Sequence, residues 1–176
     1  MTSTATTLEY RDGDTVCRGV YFTPAQSAGP LPLVLVAHAW DGVNDEVRSK
    51  ATRLAEAGYQ AFAIDVLGGG KVMTDFADLM PTLTPFMADR GMLTRRVQAG
   101  LAAAKPIPGA DPARIGAMGY CFGGTAVLDL ARAGGDDGDA LRWATDLDTF
   151  PRVAAFQRHA QRIAELVLHG GKGRDV

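Results

Sequence analysis

The sequence predicts an α/β fold with a doubly wound, mainly parallel sheet, and three observations carry that expectation. Three aliphatic runs, residues 31–37, 59–66 and 114–119, are too short for helices and apolar on both faces, as strands buried between two helical layers are. Between the first two lies a stretch with apolar residues at helical spacing, giving the strand, helix, strand order of a right-handed parallel unit. The third run meets a helix through Gly119-Tyr120-Cys121-Phe122-Gly123, a Gly-x-Cys-x-Gly junction of the nucleophile-elbow type.

Length and charge bound the rest. At 176 residues and 47% apolar content the chain can bury one good core, so a single domain over 1–176 is expected. A formal charge of −2, from 18 basic and 20 acidic residues, gives no electrostatic reason to expect nucleic acid or a membrane surface as partner. Residues 1–7 show neither a basic n-region nor an apolar h-region, and no stretch has the length a bilayer needs. The expectation is a soluble, cytoplasmic protein in which Cys17 and Cys121, too few for a disulfide framework, remain thiols.

In order, Leu8 to Phe22 is two apolar runs around Asp12-Gly13, a hairpin at an edge of the sheet. Leu31 to Ala37 is a central strand, leading into a polar loop, His38 to Asp45. Glu46 to Ala57 is a helix with Val47, Ala51, Leu54 and Ala55 on one face, capped by Asn44 or Asp45 and ended by Gly58. Tyr59 to Val66 is the next strand. Gly68-Gly69-Gly70-Lys71 follows it but lacks the spacing and the Ser or Thr of a phosphate-binding loop, so it reads as a flexible loop at the active edge. Gly116 and Gly119 are likewise spaced wrongly for a dinucleotide site. Thr84 to Ala104 reads as one helix with Phe86, Met87, Leu93, Val97 and Leu101 buried. Its Arg90, Arg95 and Arg96 are solvated or ion-paired, and Arg90 is the one to test for reach toward a carboxylate substrate. After a loop over Pro106 to Pro112 come the elbow strand and a helix from Phe122 to Arg132. Residues 135–148 read as loop, Pro151 to Glu165 as helix, and Leu166 to Gly171 as a final short strand.

The elbow carries the chemistry. A strand turning abruptly into a helix pushes the central side chain clear of the sheet, which leaves Cys121 at a helix N-terminus whose partial positive charge favours the attacking thiolate. The Phe122 N–H points the same way and can donate to a developing oxyanion. The alternative is an inert thiol in the core.

On Leu33 to Asn44, Tyr59 to Asp65 and, most specifically, Asp111-Pro112-Ala113-Arg114-Ile115 through Gly119-Tyr120-Cys121-Phe122-Gly123-Gly124, the chain resembles the dienelactone hydrolase family, Cys-nucleophile members of the α/β-hydrolase fold. The likeness covers roughly residues 8–134, and 135–176 are atypical. The resemblance implies hydrolysis of a small lactone or ester by a Cys, His, Asp triad, with no cofactor and no metal. It makes Cys121 the nucleophile, and lets the loop around Ala39 and Trp40 lend a second oxyanion N–H, that of Trp40, beside Phe122.

The pattern departs in two places. The glutamate that holds the resting thiol in the best-studied members is Ala39 here. In this fold the acid and then the histidine follow the nucleophile. Leu166 to Gly170 resembles the strand before the acid, so Asp175 falls near the acid's place, two residues late, with only Val176 beyond it. Residues 135–148 stand where the family has another strand. The expectation is therefore a hydrolase-type sheet lacking its final strand and helix, through truncation or frameshift. Impaired turnover, marginal stability and self-association through an exposed sheet edge would follow. Two downstream histidines are candidate bases: His169, at a strand end on the correct edge, and His159, better read as an exposed helix residue. His38 is expected to shape the oxyanion loop. The rival reading is a non-catalytic truncated family member or binding protein.

Overall fold

A two-residue turn opens the fold. Strands β1 (Thr4–Asp12) and β2 (Thr15–Thr23) pair antiparallel from Asp12↔Thr15 to Thr4↔Thr23, and Gly13 takes the positive φ, +56°, that so tight a reversal needs. The structure, a computed structural model, describes residues 3–133. The expected elements at 135–148, 151–165 and 166–171 lie outside the described residues.

Three further strands, β3 (Leu31–Ala37), β4 (Gln60–Ile64) and β5 (Ala110–Gly119), complete a mixed sheet of order β1-β2-β4-β3-β5. β3 runs parallel to both β4 and β5, while β2 joins the sheet through an antiparallel pairing with β4. The chain thus goes from β3 to one neighbour and later returns to the other side of it. In open α/β sheets the carboxyl edge at such a reversal is where ligands bind.

Helix α1 (Asp45–Glu56) lies on one face, and α2 (Leu79–Ala88), α3 (Arg90–Ala104) and α4 (Phe122–Ala133) follow in order. Side-chain alternation along the strands builds two cores. Leu33, Leu35, Phe62 and Ile64 pack with Leu93 and Val97 of α3 and with Phe122, Ala126 and Leu130 of α4. Val34, Val36, Ala61 and Ala63 pack with Val47, Ala51 and Ala55 of α1. Leu33, Leu35, Phe62 and Ile64 are less than 2% exposed, and burying each contributes about 1.5–3 kcal/mol. Asn44 caps α1 by accepting the Val47 N–H at 3.0 Å, and Asp45 and Glu46 complement the helix dipole.

Four local expectations change. The helix expected over 84–104 is two helices: Asp89 leaves the helical region, φ −116° and ψ 90°, and its carboxylate accepts the Met92 N–H to begin α3. Met87, expected in the core, is 52% exposed because its helix ends one residue later, whereas Phe86 is buried. The loop expected over Pro106 to Pro112 gives way to strand at Ala110, where Ala110 and Asp111 pair with Leu31 and Pro32 before the register shifts at Pro32/Leu33.

The loop at Gly68 to Lys71, expected to be flexible, is tied down. The buried Asp65 carboxylate accepts N–H groups from Gly68 at 2.8 Å, Gly70 at 2.7 Å and Arg18 at 2.8 Å. A glycine-rich curl whose amides could cradle an external anion is filled by the chain's own carboxylate. The Tyr10 hydroxyl joins the same knot, donating to the Asp65 carbonyl and accepting the Asp65 N–H, both at 3.0 Å. Arg96, also buried, bonds Asp12 at 2.9 Å and the Val66 carbonyl at 3.2 Å, which ties α3 to the hairpin and to the same loop. Asp65→Ala leaves those three amides without their charged acceptor and is expected to cost at least about 3 kcal/mol. Thermal unfolding should show Tm falling by roughly 10 °C; a loss under about 1 kcal/mol would show that water replaces the carboxylate without penalty.

Candidate active site

The elbow forms where β5 ends. Among the described residues Cys121 is the one non-glycine residue with positive φ, +54°, a conformation that costs an L side chain about 1–2 kcal/mol. Two glycines explain why it is held there. A Cβ on Gly119 would come within 2.3 Å of the Gly123 carbonyl group, and one on Gly123 within 2.3 and 2.4 Å of the Ala37 and His38 carbonyl oxygens. The first turn of α4 therefore lies directly on the end of β3, and only glycine fits. The Gly123 N–H donates to Tyr120 at 2.9 Å and the Thr125 N–H to Cys121 at 3.1 Å, closing the helix start around an exposed Cys121.

The second wall is the loop after β3. Ala37 pairs with Gly119, so Trp40 and Cys121 leave neighbouring parallel strands at the same edge. His38 is fully buried: its Nε2 accepts the Val66 N–H at 3.0 Å, which leaves the proton on Nδ1, 2.6 Å from the Ala39 carbonyl it donates to. Burial pushes its pKa below the ordinary 6.5. A neutral imidazole thus braces the β3 loop against the end of β4, with both ring nitrogens engaged. Further along, the Met73 N–H donates to the Asp41 carbonyl at 2.9 Å, Gly42 bridges Val72, and the Trp40 ring meets Phe76 edge-on at 5.6 Å.

Of the sequence-predicted site residues, the structure brings Cys121, Phe122 and Trp40 to one edge of the sheet. Asp175, His169 and His159 lie outside the described residues. Arg90, singled out for reach toward a carboxylate, is engaged elsewhere: its Nε and Nη2 grip Asp129 of α4 at 2.8 and 2.6 Å. Arg95 pairs with Asp89 and Arg96 with Asp12, so all three arginines are ion-paired. Sequence reading missed Asp129, a carboxylate among the apolar positions Ala126 and Leu130 of α4, and that isolation was its signal. It also missed Lys50, whose Nζ lies 4.1 Å over the Tyr120 ring while pairing with Glu46. Lys50 thereby links α1 to the residue before Cys121. Among the described residues no group of three or more His, Cys, Asp or Glu could hold a metal, and no helix is long and apolar enough to cross a membrane.

A mixed α/β sheet whose third parallel strand, β5, turns through a strained cysteine into a helix defines an α/β-hydrolase-type scaffold. Residues 17–145 match the dienelactone hydrolase family, and the chain belongs to it. It is 31% identical over 104 residues to a protein of Methylorubrum extorquens assigned provisionally as a carboxymethylenebutenolidase, covering 57% of this chain and 35% of that one. A counterpart with the same assignment in Escherichia coli is 34% identical over 104 residues, with 57% and 38% covered. The chain thus spans little more than a third of the length of the curated relatives it matches. Among solved structures, a dienelactone hydrolase-like promiscuous phosphotriesterase from metagenomic libraries superposes with a TM-score of 0.74 at 38% identity, over 76% of this chain and 56% of that one.

The two thiols should part cleanly in reactivity. Cys17 is fully buried, and burial pushes its thiol up, while Cys121 is exposed. Brief iodoacetamide treatment near neutral pH, mapped by mass, should label Cys121 first and Cys17 only on unfolding; the reverse order would contradict the burial pattern.

His38 gives a pH signature. Its folded pKa lies below the unfolded value near 6.5, so below that pH the unfolded chain binds a proton the folded chain refuses. Stability should therefore fall as pH drops through 6.5, by up to about 1.4 kcal/mol per pH unit. His38→Gln should flatten that limb in unfolding measured from pH 7.5 to 5; equal slopes in both proteins would place the titration elsewhere.

Proposed function

We propose that the chain hydrolyses a carboxylic ester or lactone through a Cys121 acyl-enzyme. One observation carries the reading: an exposed cysteine held at φ +54° where β5 turns into α4, with glycines packed against backbone on either side. Strain of that kind persists only where the surroundings over-determine it, and it concentrates at reactive positions.

The chemistry follows from the placement. The Cys121 sulfur attacks the ester carbonyl carbon, forming the C–S bond and moving the carbonyl π pair onto oxygen. The oxyanion is met by the Phe122 N–H, an orphan donor of a helix start, and by the Trp40 N–H across the edge. Collapse breaks the C–O bond, and the departing alkoxide takes the proton that the thiol gave up. Water then attacks the thioester, returning the thiol and releasing the acid. Proton transfer needs a base, and His169 is the candidate for it downstream of Cys121, although it precedes Asp175 whereas the family's histidine follows its acid. Ala39 supplies no carboxylate to hold the resting thiol. His38 is not the base, because its nitrogens are both bonded and its ring is buried.

Incubation with 4-nitrophenyl acetate should add one acetyl mass at Cys121 with a matching release of nitrophenolate, and Cys121→Ala should abolish both. Equal release by Cys121→Ala, or an adduct mapped elsewhere, would exclude the proposal in favour of a binding protein. His169→Ala should slow deacylation by about 10²-fold or more while leaving the initial adduct; an unchanged rate would remove His169 from the relay.

A further inference from the structure

We infer that Trp40 and Phe76 form an aromatic wall beside Cys121 that selects neutral esters with an apolar acyl group; this rests on the hydrolase reading above. Trp40 lies three residues beyond Ala37 and Cys121 two beyond its pairing partner Gly119, which places both at the same carboxyl edge. The Phe76 ring meets the Trp40 indole edge-on, with centroids 5.6 Å apart and planes at 79°.

Phe76 is nonetheless 70% exposed, and Met80, one turn further on, is 66% exposed, so the pair does not serve the core. An apolar surface of this kind, at the same carboxyl edge as the exposed Cys121, suits the part of a substrate that carries no charge. Its position is fixed in advance. The Met73 N–H bond to the Asp41 carbonyl and the Gly42 to Val72 bridge hold the Phe76 segment to the Trp40 loop, and Asp75 caps the turn at Phe76 by accepting the Ala77 N–H at 2.8 Å.

Charge agrees with the assignment. A carboxylate substrate calls for a cation, yet among the described residues Arg90 is gripped by Asp129 and Lys50 is committed to Glu46 and the Tyr120 ring. Lys71, exposed on the loop whose backbone abuts Gly42, is the cation that would serve an anionic substrate instead, and it supplies the competing outcome.

The test measures acylation of the full chain by 4-nitrophenyl acetate, 4-nitrophenyl hexanoate and the 4-nitrophenyl monoester of succinate. The hexanoate should be favoured over the acetate by roughly tenfold or more in kcat/KM, with the succinate disfavoured. Phe76→Ser should bring the hexanoate-to-acetate ratio near one, and Phe76→Leu should keep most of it. Because Phe76 is largely exposed, neither change empties the core. A ratio unchanged in Phe76→Ser would overturn the wall, as would a preference for succinate that Lys71→Ala abolishes. Acylation of Cys121 by all three esters without discrimination would sink the wall alone. Failure of every ester to acylate Cys121 would sink the hydrolase reading and the wall with it.

Discussion

The carboxyl edge of the sheet depends on one contact, that of Gly123 in the first turn of α4 against the carbonyl oxygens of Ala37 and His38 at the end of β3. Backbone meeting backbone at this range brings α4 down onto the sheet as closely as chains can pack. The distance from the last rung of β5 to the start of α4 is then so short that Tyr120 and Cys121 must reverse the chain between them, and Cys121 takes φ +54°. The strained residue is thus a consequence of the glycines around it. With any side chain at Gly123 the helix would lift, the reversal would relax, and the thiol would no longer be presented at the edge.

The remaining edge loops are held by polar groups that are buried and satisfied. Asp65 closes the Gly68 to Gly70 curl, Tyr10 bonds both backbone groups of Asp65, and His38 spans from the β3 loop to Val66. Each would be costly in the interior if unpartnered, since a buried polar group without a hydrogen bond loses roughly 1–3 kcal/mol. Paired as they are, they specify one geometry for the loops that follow β3 and β4 at the carboxyl edge. Arg96 and the Arg90 to Asp129 pair extend this to the helices: the first ties α3 to the hairpin, the second ties α3 to the helix that carries the elbow.

Much of this was legible because it is written in period and punctuation. Leu31 to Ala37 has the uninterrupted aliphatic character of a strand covered on both faces, and Val47, Ala51 and Ala55 recur at helical spacing behind an Asn cap. Gly119, Cys121 and Gly123 announce the elbow because the strained turn demands that composition. What was hidden depends on pairs distant in sequence. Nothing local in Asp65 says that it will accept the Arg18 N–H, 47 residues earlier, nor in Arg90 that Asp129 will claim it. The break at Asp89 was missed for a different reason. Its flanking stripe continues in phase from Phe86 to Leu93, so periodicity alone reads through a cap that the Asp89 side chain imposes.

That division bears on how the site's electrostatics must arise. Arg90, the cation the sequence suggested for the cleft, is engaged with Asp129, and two further cations are engaged as well: Arg96 with Asp12 and the Val66 carbonyl, Lys50 with Glu46 and the Tyr120 ring. Among the described residues, positive charge at the elbow therefore comes from oriented backbone, above all from the N-terminal turn of α4, which Cys121 immediately precedes. Such dipoles are fixed by the same Gly123 contact that strains the cysteine, so position and polarity are set together, and on the proposed hydrolase reading they need little reorganisation as an oxyanion forms. A mobile side-chain cation would have to be ordered for each turnover. Here the sheet edge and the helix start do that ordering once, when the chain folds.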